Sequence, residues 1–164
     1  MPSPDYIGYV ESPLGTIRLG ASNDAIIEIH FMDIDSIEHG RLQHPLLMQA
    51  AQQLQLYFAG TLKEFDLPIL QNGTTFQQTV YHQLQRIAYG KTISYMQLSK
   101  WLGNTKAIRA VGTANGSNQL AIVVPCHRVI GSDGSLTGYA GGIWRKQWLL
   151  QHENKFANGV QPLF

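Results

Sequence analysis

Val123-Val124-Pro125-Cys126-His127-Arg128-Val129-Ile130 carries the only cysteine of a 164-residue chain. Together with Ala121 and Ile122 it reads as a short buried strand that stops at Pro125 and presents a thiol at its end. With one cysteine, no intrachain disulfide can form, and a zinc site built from several cysteines is excluded. The thiolate, not the thiol, is the nucleophile, and at a reference pKa of about 8.5 only a few per cent is ionised at neutral pH. Cys126 therefore needs a base or a positive field. His127 is the nearest base, but neighbours on an extended chain point to opposite faces, so the reading places a water between the two. Taken alone, a Cys-His pair reads more readily as a small buried hydrophobe beside a core histidine.

Upstream of this stretch the chain turns helical. Thr74 or Thr75 caps a helix in which Phe76, Val80, Leu84 and Ile87 recur at helical spacing and which Gly90 ends. Ser94 caps the next helix, carrying Leu98 and Trp101 or Leu102, and Gly103-Asn104 breaks it before a further helix around Lys106 to Thr113. Two short helices joined by a glycine-containing turn resemble a helix-turn-helix, whose second helix enters a DNA groove. Ala107-Ile108-Arg109-Ala110-Val111-Gly112-Thr113-Ala114 is mostly small residues, which suits close backbone approach better than an array of side chains reading bases. Sequence-independent docking is the expectation. Downstream, Gly131-Ser132-Asp133-Gly134 reads as a turn and Leu136 to Gly142 as a loop, while Trp144 and Trp148, four apart on a last helix, read as core packing.

The first 72 residues differ in pattern and charge. Tyr6 to Val10, Gly15 to Leu19 and Ala25 to Phe31 read as a three-stranded antiparallel meander. From Pro45, the stripe Leu46, Leu47, Ala50, Leu54, Tyr57 and Phe58 predicts a helix that Gly60 terminates, and the apolar run Leu67 to Leu70 follows. His30, His39 and His44 read as surface or boundary residues, and this half reads as scaffold. Residues 1–72 hold three bases and nine acids, a net −6, whereas residues 73–164 hold nine bases and two acids, a net +7. A basic half joined to an acidic one points to a polyanion as the partner of the basic half. No basic segment followed by an apolar run opens the chain, and no stretch approaches the roughly 20 apolar residues that span a bilayer, so the expectation is a cytoplasmic protein with no membrane partner.

Val123 to Ile130 resembles the active-site signature of the O6-alkylguanine-DNA alkyltransferases, the methylated-DNA–protein-cysteine methyltransferases. Ser94-Tyr95 to Gly103-Asn104, Arg109-Ala110-Val111-Gly112, Asn118, Gly138-Tyr139-Ala140-Gly141-Gly142 and Trp148-Leu149-Leu150-Gln151-His152-Glu153 resemble the same family in order and spacing, over about 80 residues. The resemblance implies an α+β fold. An N-terminal lobe, 1–72, would hold a small antiparallel sheet and a helix in the ribonuclease-H-like style. A C-terminal lobe, 73–164, mostly helical and bearing the helix-turn-helix, would carry the active-site cysteine.

It also implies the chemistry. Cys126 would accept the alkyl group from guanine O6 by in-line displacement. His127 would polarise the thiol through a water and Glu153 would orient the histidine, as a third group does in triads. Tyr139 and the backbone N–H of Ala140 would stabilise the leaving guanine, Ala140 standing where some relatives carry serine. Asn118 would tie the recognition helix to the active-site stretch. The target atom is stacked in a duplex, so the nucleotide must rotate out. Arg109 would fill the gap, Tyr95 would crowd the target phosphate, and Ala107, Gly112 and Thr113 would lie along the DNA. Val129, Leu136, Gly138, Ala140 and Gly141 would wall the base pocket. A thioether has no evident route back to a thiol, so each molecule would react once. O4-alkylthymine is a second substrate that the family suggests and that composition cannot reach. The plainer readings are a phosphate contact for Arg109 and a turn residue for Asn118.

The partner so implied is double-stranded DNA containing O6-alkylguanine, bound by a monomer that associates with the nucleoid when it acts. Neither cofactor nor metal is called for, since the chain supplies nucleophile, activation and leaving-group stabilisation, and the cysteines that bind zinc in some relatives are missing. Arg128 is expected to pair with an acid of the N-terminal lobe. Two other classes compete. A cysteine hydrolase accounts for Cys126 and His127 but leaves the helix-turn-helix idle. A lesion-binding protein of the alkyltransferase-like kind lacks the acceptor cysteine, which this chain has.

Overall fold

The computed structural model describes residues 3–33 and 42–159; His39, Arg41 and the last residues of the tail lie outside them. The chain divides into two compact units, residues 1–72 with 119–121, and residues 73–118 with 122–164.

The first unit is a meander of β1 (Tyr6–Ser12), β2 (Gly15–Ala21) and β3 (Ile26–Phe31), antiparallel in the order β1-β2-β3. A tight turn at Pro13-Leu14 sets the register. Ser12 Oγ donates to the Gly15 carbonyl at 2.7 Å and accepts from Leu14 N–H at 3.0 Å, and Gly15 sits at φ 96°, where a side chain would be strained. Val10, Ile17, Leu19, Ile26 and Ile29 are buried on the sheet. The outer edge of β3 is covered by two short parallel bridges, Ile26 to Ile69 and Ile29 to Leu120. The predicted helix is α1 (Pro45–Phe58), burying Leu47, Ala50, Ala51, Leu54 and Tyr57. His44 is its N-cap, with Nδ1 accepting from Leu46 N–H at 3.2 Å. Each fully buried leucine on this face removes enough apolar surface from water to contribute about 2 kcal/mol.

The second unit begins with α2 (Thr75–Leu84), whose start is a capping box: Thr74 Oγ1 accepts from Gln77 N–H at 3.1 Å, and Gln77 Oε1 accepts from Thr74 N–H at 2.9 Å. The helix ends at Leu84, earlier than the apolar spacing suggests. After Leu84 the backbone tightens, Arg86 N–H bonding to Gln83 and Ile87 N–H to Leu84, so Ile87 is buried from a turn. Then come α3 (Tyr95–Trp101), capped by Ser94, a short 3-10 turn over Thr105–Ala107 and α4 (Ile108–Gly116). Gly103, at φ 77°, separates the two helices. A parallel two-residue ladder, β4 (Ile93–Ser94) with β5 (Val129–Ile130), joins the start of α3 to the stretch after the cysteine. The last element, α5 (Ile143–Asn158), runs from Gly142 at φ 91° to Gly159 at φ 67°.

Two expectations need correcting here. Ala121 to Val124 is not a strand. Ala121 to Val123 form a turn, and buried Ile122 takes a φ of 72°, a region that β-branched residues avoid. The run is apolar because it is buried, not because it is extended. Trp144 is not core either, being 55% exposed, while Trp148 stacks on His152 with ring centroids 4.7 Å apart.

Candidate active site

The sequence-predicted residues all fall in the second unit. Pro125 ends the turn, and Cys126-His127-Arg128 form one 3-10 turn in which Cys126 N–H bonds to Val124 at 2.8 Å and Arg128 N–H to Pro125 at 3.0 Å. The three side chains therefore diverge from a tight turn, not from an extended strand.

Cys126 is 7% exposed. Asn118 Nδ2 donates to its sulfur at 3.2 Å and to the Val124 carbonyl at 2.8 Å. Asn115, which sequence reasoning missed, donates from Nδ2 to the Cys126 carbonyl at 3.3 Å and is itself buried on α4. Burial pushes the thiol above its ordinary pKa, while the Asn118 hydrogen bond and then the charge of Lys146 pull it back. The balance favours the protonated thiol at neutral pH.

His127 is fully buried and its Nε2 lies 2.7 Å from Glu153 Oε2. Burial disfavours the imidazolium and outweighs the attraction of Glu153, so the ring stays neutral. For Glu153, burial opposes ionisation, but His127 and Arg128 outweigh it and hold the carboxyl far below its usual range. A neutral ring beside a carboxylate must donate from Nε2, which leaves a lone pair on Nδ1. That atom is buried without a hydrogen-bond partner among the described residues, and is the one basic nitrogen the turn offers. Arg128 completes the cluster inside the unit. Its Nε donates to Glu153 Oε1 at 2.7 Å, Nη2 to Oε2 at 3.0 Å and Nη1 to the Ile87 carbonyl at 2.7 Å. The expected pairing with an N-terminal acid is thus overturned, because a bidentate carboxylate already satisfies the buried guanidinium.

The loop before α5 is fastened by that helix. Arg145 Nη1 donates to the Gly141 carbonyl at 3.0 Å and Lys146 Nζ to the Thr137 carbonyl at 2.9 Å, which also accepts from Tyr95 Oη at 3.2 Å. The Tyr139 hydroxyl is buried and its pKa is raised well above the ordinary value, chiefly by burial, so it remains a proton donor. Ala140 is exposed, Gly138 sits at φ 59° close to Tyr95, and Gly141 is half-buried. Leu136 lines a cleft with Gly90, Lys91, Leu150 and Glu153, and Val129 is wholly buried in β5. Lys146 was legible in principle. Lys146, Leu149, Leu150 and Glu153 make one helical stripe, and the two charges on it mark a buried face that is not only packing.

On α4, Arg109, Ala110 and Thr113 are exposed, and a Cβ added at Gly112 or Gly116 would meet nothing within 4 Å. Arg109 makes no side-chain hydrogen bond or ion pair among the described residues; Ala107 precedes the helix at its N-cap. Of the nine bases, Arg128, Arg145 and Lys146 are buried, whereas Arg86, Lys91, Lys100, Lys106, Arg109 and Lys155 are exposed against a single exposed acid, Asp133. No group of three or more His, Cys, Asp or Glu able to hold a metal occurs among the described residues, and no described helix is long and apolar enough to cross a membrane.

A small antiparallel sheet with a helix, followed by a helix-turn-helix unit holding one thiol beside a Glu-His pair, defines a class of two-part proteins built around a single cysteine. Comparison with known proteins narrows it. The ribonuclease-like domain of 6-O-methylguanine DNA methyltransferase matches residues 6–71 and the DNA-binding domain of the same family matches residues 75–155. A methylated-DNA–protein-cysteine methyltransferase of Methanosarcina acetivorans is 43% identical, over 90% of this chain and 97% of the relative. The constitutive enzyme of that name from Bacillus subtilis is 44% identical, over 84% and 87%. The crystal structure of Mycobacterium tuberculosis OGT in complex with DNA superposes with a TM-score of 0.82 at 42% identity, covering 90% of this chain and 92% of that one. The chain belongs to the 6-O-methylguanine DNA methyltransferase family, and so to the methylated-DNA–protein-cysteine methyltransferases.

Proposed function

We propose that this protein repairs duplex DNA by moving the alkyl group of O6-alkylguanine, and of O4-alkylthymine, onto Cys126, once per molecule, after rotating the nucleotide out of the stack. The observation that carries the reading is the Glu153–His127 pair at 2.7 Å next to a thiol that Asn118 holds at 3.2 Å. His127 Nδ1 takes the thiol proton through a water, and sulfur displaces the guanine from the alkyl carbon. The S–C bond forms as the C–O6 bond breaks, and the electron pair leaves with the guanine. Tyr139 and the Ala140 N–H meet the charge that develops on the base. The bond formed is a thioether, and with one cysteine in the chain no second thiol is present to take the alkyl group from it.

The first test is the peptide mass of the protein after incubation with a duplex containing one O6-methylguanine, beside an unmodified duplex. A gain of one methylene on the Cys126 peptide, stoichiometric with lesion lost, is the expected result. Tight binding with no gain would make the protein a lesion binder and return Cys126 to the core. A second expectation concerns Arg109, exposed on a helix whose small residues allow close approach to a duplex. If it props the stack open, Arg109→Ala lowers repair in duplex about tenfold to a hundredfold, the range expected when a few kcal/mol of unstacking go uncompensated. Reaction with the free base O6-benzylguanine should hardly change, and equal losses on both substrates would remove Arg109 from that role.

A further inference from the structure

Lys146 is fully buried on α5, and its only hydrogen bond among the described residues is to the Thr137 carbonyl. Among the described residues no carboxylate pairs with its ammonium; Glu153, the buried acid of the unit, is taken up by His127 and Arg128. Burying an unpaired charge costs several kcal/mol unless an anion can form beside it. Tyr95 of α3 presents its ring at 5.8 Å from Nζ, and α5 packs against the 3-10 turn that carries Cys126, close enough for a negative sulfur to raise the pKa of the lysine. The sulfur accepts from the Asn118 amide, His127 follows it in the same turn, and Lys146, Tyr95 and Tyr139 lie within electrostatic reach of it. Both phenols are shifted upward and stay neutral, and His127 is neutral as well. Arg128 is taken up by Glu153, and the positive charge that draws the thiol pKa down, among the described residues, is that of Lys146.

We infer that Lys146 is a positioning residue of the alkyl transfer, the counter-charge of the Cys126 thiolate, held in place by the Thr137 carbonyl and the Tyr95 ring. The inference rests on the reading of Cys126 as the alkyl acceptor. When the S–H bond breaks, the electron pair stays on sulfur, the proton moves toward His127 through a water, and Lys146 keeps all of its own protons. The titration agrees with the geometry. Burial lowers Lys146 to about 8 while Cys126 pushes it back up, so at neutral pH the ammonium is present when the thiolate forms. Alkylation removes the anion for good, so the lysine should then give up its proton more easily.

The test uses the full-length protein and a small neutral electrophile, iodoacetamide, with its rate on Cys126 followed against pH. Lys146→Met should move the midpoint up by about one unit or more, slowing the reaction roughly tenfold at neutral pH, with the two rates converging in alkali. Lys146→Arg, which keeps the charge, should restore the midpoint. A uniform loss with an unmoved midpoint would reduce Lys146 to a clamp on the loop and overturn the inference. Should the methionine variant fail to fold, the wild type suffices. The 13Cε resonance of Lys146, titrated before and after alkylation of Cys126, should move to lower pKa, and an unmoved titration overturns the pairing. Methyl transfer from an O6-methylguanine duplex is scored separately by mass. A moved midpoint without methyl on Cys126 would fault the acceptor reading alone, and methyl on Cys126 with an unmoved midpoint would fault the pairing alone.

Discussion

Cys126→Ser is expected to abolish alkyl transfer while leaving affinity for duplex DNA within about twofold. The loss should exceed four orders of magnitude, since a serine hydroxyl at neutral pH yields almost no alkoxide and lacks the polarisable sulfur that displacement at carbon favours. Binding should survive for structural reasons. The residue is 7% exposed, Oγ fits within the space of Sγ, and Asn118 keeps its 2.8 Å bond to the Val124 carbonyl whatever stands at position 126. The exposed bases and the open face of α4 are untouched. Peptide mass and gel shift on the same lesion duplex check both halves of the expectation. A methyl group recovered on the serine variant, on His127 or elsewhere, would sink the assignment of Cys126.

Glu153→Gln should be the most damaging single change to stability. The carboxylate receives two bonds from Arg128 and faces His127, and all three are buried. Removing one partner of such a cluster leaves the arginine charge without compensation, at a cost of roughly 3–5 kcal/mol. In a protein of this size that lowers Tm on the order of 10 °C. The pH dependence has a definite sign. The folded pKa of Glu153 lies below its unfolded value of 4.5, so its contribution is complete above that value and is lost as pH falls through the lower folded one. His127 acts in the same direction. Its folded pKa lies below the unfolded 6.5, so acid favours the unfolded chain, which alone takes up the proton. Urea melts should therefore show the full gap between wild type and variant at pH 7 and a narrowing gap below about pH 4.5. The rate of alkyl transfer should fall about a hundredfold or more, because glutamine no longer fixes the His127 tautomer that leaves a lone pair on Nδ1. Unchanged melting would mean that Arg128 is solvated in solution.

Local rules account for much of this architecture. The meander followed from the three strand-like runs Tyr6 to Val10, Gly15 to Leu19 and Ala25 to Phe31, α1 from a stripe beginning at Pro45, and the pair α3 and α4 from Ser94 and Gly103. Where the sequence misled, the deciding force was not local. Ala121 to Val124 is as apolar as a buried strand, and only the positive φ of Ile122 distinguishes it from one. Arg128 finds its carboxylate 25 residues away on another helix, a pairing that no spacing rule reaches. α2 stops three residues before its apolar spacing does, because the backbone tightens while burial continues. At the site, the thiol, the histidine and the acid were legible as residue types in order. The burial of Lys146 showed only in the stripe it shares with Leu149, Leu150 and Glu153, and its bearing on the sulfur did not show at all, since a lysine on a helix ordinarily belongs to water.

Gln119 to Ala121 sit between α4 and the cysteine in the chain, yet they belong to the first unit, where Ile29 N–H bonds to Gln119 and Leu120 is wholly buried. A fragment cut at Gly73 would therefore lack the last piece of its own sheet edge, and the remainder would carry that piece with nothing to seat it. The two halves are stitched, not strung, so neither is a cassette that recombination could pass intact to another protein. Their heat denaturation should follow the same logic, as one cooperative event and not two.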